Sequence, residues 1–271
     1  MKVICYLITL SVFLGLSSCK SKEKEKTVEN NIPKLVQSTD DSIQREEPDE
    51  AEIVVLEAIM AHGGNRYNKA HYGFTFRDKN YTFKNDGNKY IYTVSMVEKG
   101  NKIIDSLNNG NLFRTLNKQS VSLSPKDNTK YTEALNSVIY FATLPHKLND
   151  KAVHKKYIEN VKIKDNYYKS IEVTFDQKGG GTDHDDVFMY WINAKTKTMD
   201  YLAYKYETND GGVRFRSSYN RRTVDGIIFQ DYINYKAPIG TPLKELPSLF
   251  ENGELEELSR IETENVVKLT Q

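Results

Sequence analysis

Behind three glycines at 179–181, the run Thr182, Asp183, His184, Asp185, Asp186 gathers the densest set of potential ligands in the chain. Hard cations take several oxygen ligands from a loop that can fold back on itself, and a histidine among carboxylates also suits a transition metal. Asp183, His184 and Asp186 are the residues that could do this, and calcium or zinc is the cofactor such a loop would take. Nothing else in the chain implies a cofactor. Glycine and aspartate are also the ordinary material of a long hairpin loop, so a purely structural reading stands beside the metal one. A second group is cationic. Arg214 and Arg216 fall on one face of a strand by its two-residue period, with Arg221 and Arg222 close by. Guanidinium forks match the paired oxygens of a phosphate or carboxylate, whereas a solvated polar face interleaved with Phe215 and Tyr219 is the plainer account. A third group, Phe74, Phe76, Tyr90, Tyr92, Trp191, Tyr204 and Phe215, either lines an apolar cavity or fills a core. His62 is placed at a helix end, where its ring would meet unpaired carbonyls. His71, His146 and His154 show no ligand spacing with one another. There is no G-x-S-x-G turn and no H-E-x-x-H helix, which points away from an enzyme.

The N-terminus carries the clearest chemistry. Lys2 precedes an apolar run from Val3 to Leu16, and Leu16, Ser17, Ser18, Cys19 close it. The run is shorter than the ~20 residues that span a bilayer, so it reads as a removable segment. A small-residue pair before cysteine after such a run resembles the bacterial lipoprotein signal, which implies a diacylglyceryl group on the Cys19 thiol, palmitate among the acyl chains, and a lipid-anchored protein of the cell envelope, most simply at the outer membrane. Cys5 and Cys19 are the two cysteines, so the mature chain would keep no thiol for a disulfide or a zinc site. Losing Lys2 brings the 38 basic residues level with the 37 acidic ones. A neutral chain is a poor nucleic-acid partner, because phosphate neutralisation supplies most of that affinity. The expected partners are the membrane, through Cys19, and a lipid or acyl-chain ligand, for a protein that is otherwise a monomer.

Three segments must hold these groups: a signal over 1–18, a flexible tether over 19–49 and one domain over 50–267. The tether is charged and almost without large apolar residues, so it cannot offset its ordering entropy. Ile53, Leu56 and Met60, with Val54 and Ile59, predict a helix that Gly63 and Gly64 stop. The period then becomes two, through Tyr72, Phe74, Phe76 and again Tyr90, Tyr92, Val94, Met96, with hairpin turns at 85–88 and 108–111. Leu135, Val138, Ile139 and Ala142 predict a helix over 129–143, and a shorter one is expected over 150–158. Strands follow at 167–176, 186–193, 198–206, 212–221, 226–235 and 257–264. With 18 tyrosines and 11% aromatic residues, the composition suits a half-buried pleated surface. The expected class is α+β: a curled antiparallel sheet of about eleven strands, an incomplete β-barrel, wrapping two or three helices.

Two resemblances follow from particular residues. The succession YKSIEVTF (168–175), DVFMYWIN (186–193) and KTKTMDYLAYKY (195–206) resembles the lipoprotein carriers of the LolA and LolB type, in which an incomplete barrel holds acyl chains. The AHGG stretch at 61–64, the GGG before DHDD at 179–186, and the pattern Phe215, Arg216, Tyr219, Asn220, Arg222 resemble a family of envelope lipoproteins of unknown activity, over most of residues 55–265. Together they imply a non-enzymatic, lipid-anchored protein that binds an apolar or amphiphilic molecule in its cavity. Two alternatives stay open: a metal-dependent hydrolase acting through Asp183, His184 and Asp186, and an interaction module of the envelope.

Overall fold

Asp49 opens the first helix because its carboxylate accepts from the backbone N–H of Glu52 at 2.8 Å, satisfying one of the donors every helix start leaves unpaired. The computed structural model describes residues 49–176, 186–207 and 210–270, and these fall within one unit spanning 46–271. Helix α1 (Glu50–Ala61) buries Ala51, Val54, Val55, Ala58 and Ile59. Of the expected stripe, Val54 and Ile59 face inward, whereas Ile53, Leu56 and Met60 are 46%, 42% and 62% exposed. The inward face uses smaller and β-branched residues, which let the helix lie close to a sheet. Three ion pairs hold its rim, Glu50–Lys169, Glu52–Lys155 and Glu57–Lys197, at 2.7–2.9 Å.

A six-strand meander follows: β1 (His71–Phe76), β2 (Lys79–Asp86), β3 (Lys89–Glu98), β4 (Asn101–Asn108), β5 (Asn111–Leu116) and β6 (Gln119–Val121). The β4–β5 turn is Asn109–Gly110, with φ of 46° and 86°, the pair of left-handed residues that a two-residue hairpin requires. Helix α2 (Pro125–Ala142) then crosses the meander. The Ser124 oxygen accepts from the Asp127 N–H at 3.1 Å and its hydroxyl donates to the Asp127 carboxylate at 2.7 Å. Pro125 takes the first turn, where no N–H is needed. The second meander is β7 (Val153–Ile163), β8 (Asn166–Phe175), β9 (Val187–Asn193), β10 (Met199–Tyr206), β11 (Gly212–Val224) and β12 (Ile227–Ala237). After a short helix α3 (Leu246–Glu251), β13 (Glu256–Ile261) joins the second sheet and β14 (Glu264–Lys268) the first.

The result is an α+β fold of two open, seven-stranded antiparallel sheets, ordered β14-β1-β2-β3-β4-β5-β6 and β13-β12-β11-β10-β9-β8-β7. The open antiparallel architecture with a few helices is the expected one, and among the described residues it comprises fourteen strands in two sheets where about eleven in one curled sheet were expected. The expected strand over 257–264 splits at Glu262 and Thr263, where the chain passes from one sheet to the other. The helix expected over 150–158 is instead the start of edge strand β7, after a 3-10 turn at His146–Asn149. Its mixed charges resemble a helix surface but belong to an edge, where lysines discourage further pairing.

Three cores result. One places Val54, Val55 and Ala58 of α1 on Ile171, Tyr190, Ile192 and Leu202. Another places Leu135 and Ile139 of α2 on Phe83, Tyr92 and Leu107, and takes in Ile227 and Phe229 from β12. The third covers the opposite face of the second sheet, where Leu243, Leu246 and Phe250 pack on Trp191, Tyr201 and Phe215. Strand β9 is apolar on both sides because both of its faces are covered. Each such side chain contributes about 1.5–3 kcal/mol by leaving water.

Candidate functional site

Helix α2 serves two cores at once, and a gap opens where it turns from one to the other. Leu135 and Ile139 are committed to the first sheet, while Phe141 packs with the second. Arg114 of β5 fixes the helix start: it makes two 2.6 Å bonds to the buried Asp105 carboxylate and stacks 3.5 Å from the Tyr131 ring. Between α2 and the second sheet lies a cavity of about 410 Å³. Val138, Phe141 and Ala142 form one wall, Phe188 and Tyr204 the other, with Phe76 and Ile261 at the sides. The Phe188 and Tyr204 rings stack at 5.3 Å, as their register across β9 and β10 demands.

Arg216 enters this apolar space from β11. It is 7% exposed, and its guanidinium lies 4.1 Å from the Phe141 ring centre and 5.1 Å from that of Tyr204. One terminal nitrogen donates to the Tyr204 hydroxyl at 2.8 Å, and the Nε–H has no acceptor. Ring faces attract a cation by about 0.5–2 kcal/mol, but a buried charge also requires hydrogen-bond partners. Gln230 and Tyr232 complete the polar wall. The Gln230 amide donates to the Met199 carbonyl and to the Tyr232 hydroxyl, both at 2.8 Å. Burial pushes the Tyr232 phenol up to about 12, so it stays neutral.

Of the aromatic residues singled out by sequence, Phe76 and Tyr204 line the cavity. Phe74 is in the first-sheet core against Tyr81, and Tyr90 and Tyr92 stack on each other at 4.4 Å there. Trp191 and Phe215 lie on the far face of the second sheet, packed edge to face at 5.6 Å beneath α3; they are core residues. Arg214 shares Arg216's face, but its guanidinium is engaged by the Tyr206 hydroxyl at 2.5 Å and the Val213 carbonyl at 3.0 Å. Asp186 is buried at the cavity wall. Asp183 and His184 lie outside the described residues. Among the described residues no group of three or more His, Cys, Asp or Glu is placed to hold a metal.

The recurring motifs have structural roles next to the cavity. His62 was expected to meet carbonyls at the end of α1. Its ring instead turns inward, and Nε2 accepts from the Met199 N–H at 3.1 Å while its own carbonyl accepts from the Ile228 N–H. Gly63 follows at φ 136°, where an added Cβ would sit 3.0–3.2 Å from Ile227 and the Gly226 carbonyl. In β11, Asn220 takes φ 47° and makes a bulge between Tyr219 and Arg222. The bulge aims Asn220 and Arg222 at Asp231 of β12, which is 2% exposed. Its carboxylate accepts from Asn220 at 2.6 Å and from the Thr263 N–H at 2.9 Å, and pairs with Arg222 at 3.2 Å. Arg222 also donates to the Thr263 hydroxyl at 2.8 Å and to its carbonyl. Thus the segment that joins the two sheets is clasped beside the cavity, which Thr263 also lines.

A family profile matches residues 2–263. The chain belongs to a family of unknown function, DUF6503. No curated protein matches the DUF6503 chain. Among solved structures it is similar to a LolA superfamily protein from Nitrosomonas europaea, with 12% identity, 83% of this chain and 95% of that one covered, and a TM-score of 0.47. It is also similar to a DUF1329 family protein from Desulfovibrio piger, at 10% identity, 82% and 94% coverage and a TM-score of 0.40. A third is a putative outer membrane lipoprotein-sorting protein domain from Vibrio parahaemolyticus, at 7%, 74% and 84%, and 0.32.

Sequence reasoning missed Phe141, Phe188 and Ile261. Phe188 was within reach, because it shares a strand face with Tyr190 and pairs in register with Tyr204. Phe141 was not, since it stands off the α2 stripe that a helical period reveals.

Proposed function

We propose that this chain is a lipid-anchored protein of the bacterial envelope, held at the membrane through Cys19, that binds an apolar or amphiphilic molecule, a lipid or acyl chain, in the cavity between α2 and the second sheet. One observation carries the reading. A space of about 410 Å³ between α2 and the second sheet is walled by the apolar side chains Val138, Phe141, Phe188 and Tyr204. Such a volume lies at the small end of ligand pockets, about 300–1,000 Å³, and suits one chain better than a bulky multi-chain lipid. Each methylene transferred from water into the space contributes about 0.8 kcal/mol.

Two measurements test this. Protein purified from its native membrane and extracted with organic solvent is expected to release a stoichiometric lipid or fatty acid by mass spectrometry; ligand-free protein that takes up no acyl chain on titration sinks the binding reading. Cys19→Ala is expected to abolish incorporation of labelled palmitate and release the protein from the membrane fraction, and continued membrane retention would sink the anchoring reading.

A further inference from the structure

We infer that the cavity selects a single-chain amphiphile ending in an oxyanion, a carboxylate or a phosphate, and that Arg216 is the group that reads it. The inference rests on the ligand-binding reading of the cavity and goes beyond it by naming the headgroup chemistry. Arg216 is more than nine-tenths buried and lines the cavity. Its hydrogen-bond partner among the described residues is the Tyr204 hydroxyl, and its Nε–H has none. A cation so buried needs acceptors, and rings on its faces supply charge attraction without accepting in the plane of the fork. The contrast with neighbouring arginines is informative. Arg114 has a carboxylate in fork geometry, and Arg222 has Asp231 and Thr263; Arg216 stands at the wall of a cavity that Asp186 and Arg77 also line, with its Nε–H buried and unpartnered. The Phe141 ring, 4.1 Å from the guanidinium carbon, holds the group from one side. An oxyanion entering in the plane of the guanidinium meets the orphaned N–H in the geometry these forks favour. The same oxyanion would leave its alkyl chain along Phe188 and Val138. Tyr204, bonded to Arg216 and stacked on Phe188, connects the two ends of the site.

The test compares palmitate, hexadecyl phosphate and hexadecanol, which share a chain and differ in headgroup, in displacing a fluorescent alkyl probe. The protein is the chain from residue 19 carrying Cys19→Ala, which retains every described residue and lacks the anchor. In alkaline buffer, at least one of the two anions is expected to bind about tenfold or more tightly than the alcohol, and which of them does so identifies the oxyanion. Arg216→Met is expected to bring the anions down to the level of the alcohol, removing the preference between headgroups. Equal affinity for anions and alcohol in the unsubstituted protein overturns the inference, as does a preference that survives in folded Arg216→Met. Should the methionine variant not fold, Arg216→Lys takes its place. It keeps the charge, removes the orphaned N–H and is expected to lower the preference severalfold; an unchanged preference overturns the inference. Failure of all three compounds to bind the unsubstituted protein overturns the cavity reading itself, an outcome distinct from equal binding.

Discussion

At position 62 a backbone N–H points at Nε2 of an imidazole, and that contact dictates the ring's protonation state. The Met199 N–H can donate only to an unprotonated nitrogen, so neutral His62 carries its proton on Nδ1, a buried atom with no acceptor. Burial first, and then the positive charge of Arg221, hold its pKa down to about 4 from 6.5, against a smaller upward pull from Asp200. A histidine whose folded pKa is depressed contributes stability that is complete above the unfolded value and is lost as pH falls toward the folded one. Denaturant unfolding is therefore expected to show stability declining between pH 6.5 and about 4, with His62 accounting for about 3 kcal/mol of the fall. Burial pushes His146, stacked on Tyr67 at 4.4 Å, down to about 4 as well, so it adds in the same direction. His62→Gln keeps an acceptor for Met199 and cannot titrate, so its profile should be flatter; an unaltered pH slope would contradict the assignment. Next to it, Gly63→Ala places a methyl against the backbone of Gly226 and Ile227 at a strained φ. A loss of about 2 kcal/mol or more is expected by chemical denaturation, and a neutral result would mean that the α1–β12 junction can yield.

Among the elements, the hairpin of β11 and β12 decides whether the two sheets stay together. It is long enough to place Tyr232 in the α1 core and Ile227 and Phe229 in the first-sheet core, and its bulge turns Asn220 and Arg222 onto Asp231. Removing one partner of a buried ion pair costs about 3–5 kcal/mol, because the other charge is left uncompensated. Asp231→Ala should lose about that much, with hydrogen exchange accelerating first at 262–264; a loss below about 1 kcal/mol would show that the clasp is incidental. The elements themselves were legible where their period was clean. Leu135 and Ile139 announce α2, Asn109–Gly110 announces a hairpin, and the alternation from Met199 to Tyr206 announces β10. Face assignment was harder. Period two separates Trp191 from Phe188, yet it does not say what covers each side, and the cover over Trp191 comes from Leu243, Leu246 and Phe250 in a stretch with no marked periodicity. Arg216 could be read as a cavity-side residue from its spacing with Arg214, whereas the bond that removes Arg214 from contention, to Tyr206, depends on side-chain reach that no spacing encodes.

For the whole molecule, an open cavity beside α2 sets stability against binding. The apolar walls gain little while they face solvent, and closing the space would bury them. Filling it by mutation should therefore stabilise the protein at the expense of its ligand, the opposition expected wherever a site is kept vacant. Ala142 is the position to use, since it lies on the cavity side of the last turn of α2 and beside Phe141. Ala142→Phe is expected to raise stability by about 1 kcal/mol through added apolar burial, and to reduce acyl-chain affinity by tenfold or more because the aromatic ring occupies the place of several methylenes. In the unsubstituted protein, ligand at a hundredfold excess over Kd should contribute about 2.7 kcal/mol, visible as a rise in melting temperature that grows with ligand concentration. The variant should start higher and gain little. If ligand instead raises the melting temperature of Ala142→Phe as much as that of the unsubstituted chain, the acyl chain is bound somewhere else on the molecule, and the space between α2 and the second sheet is a gap in packing with no ligand of its own.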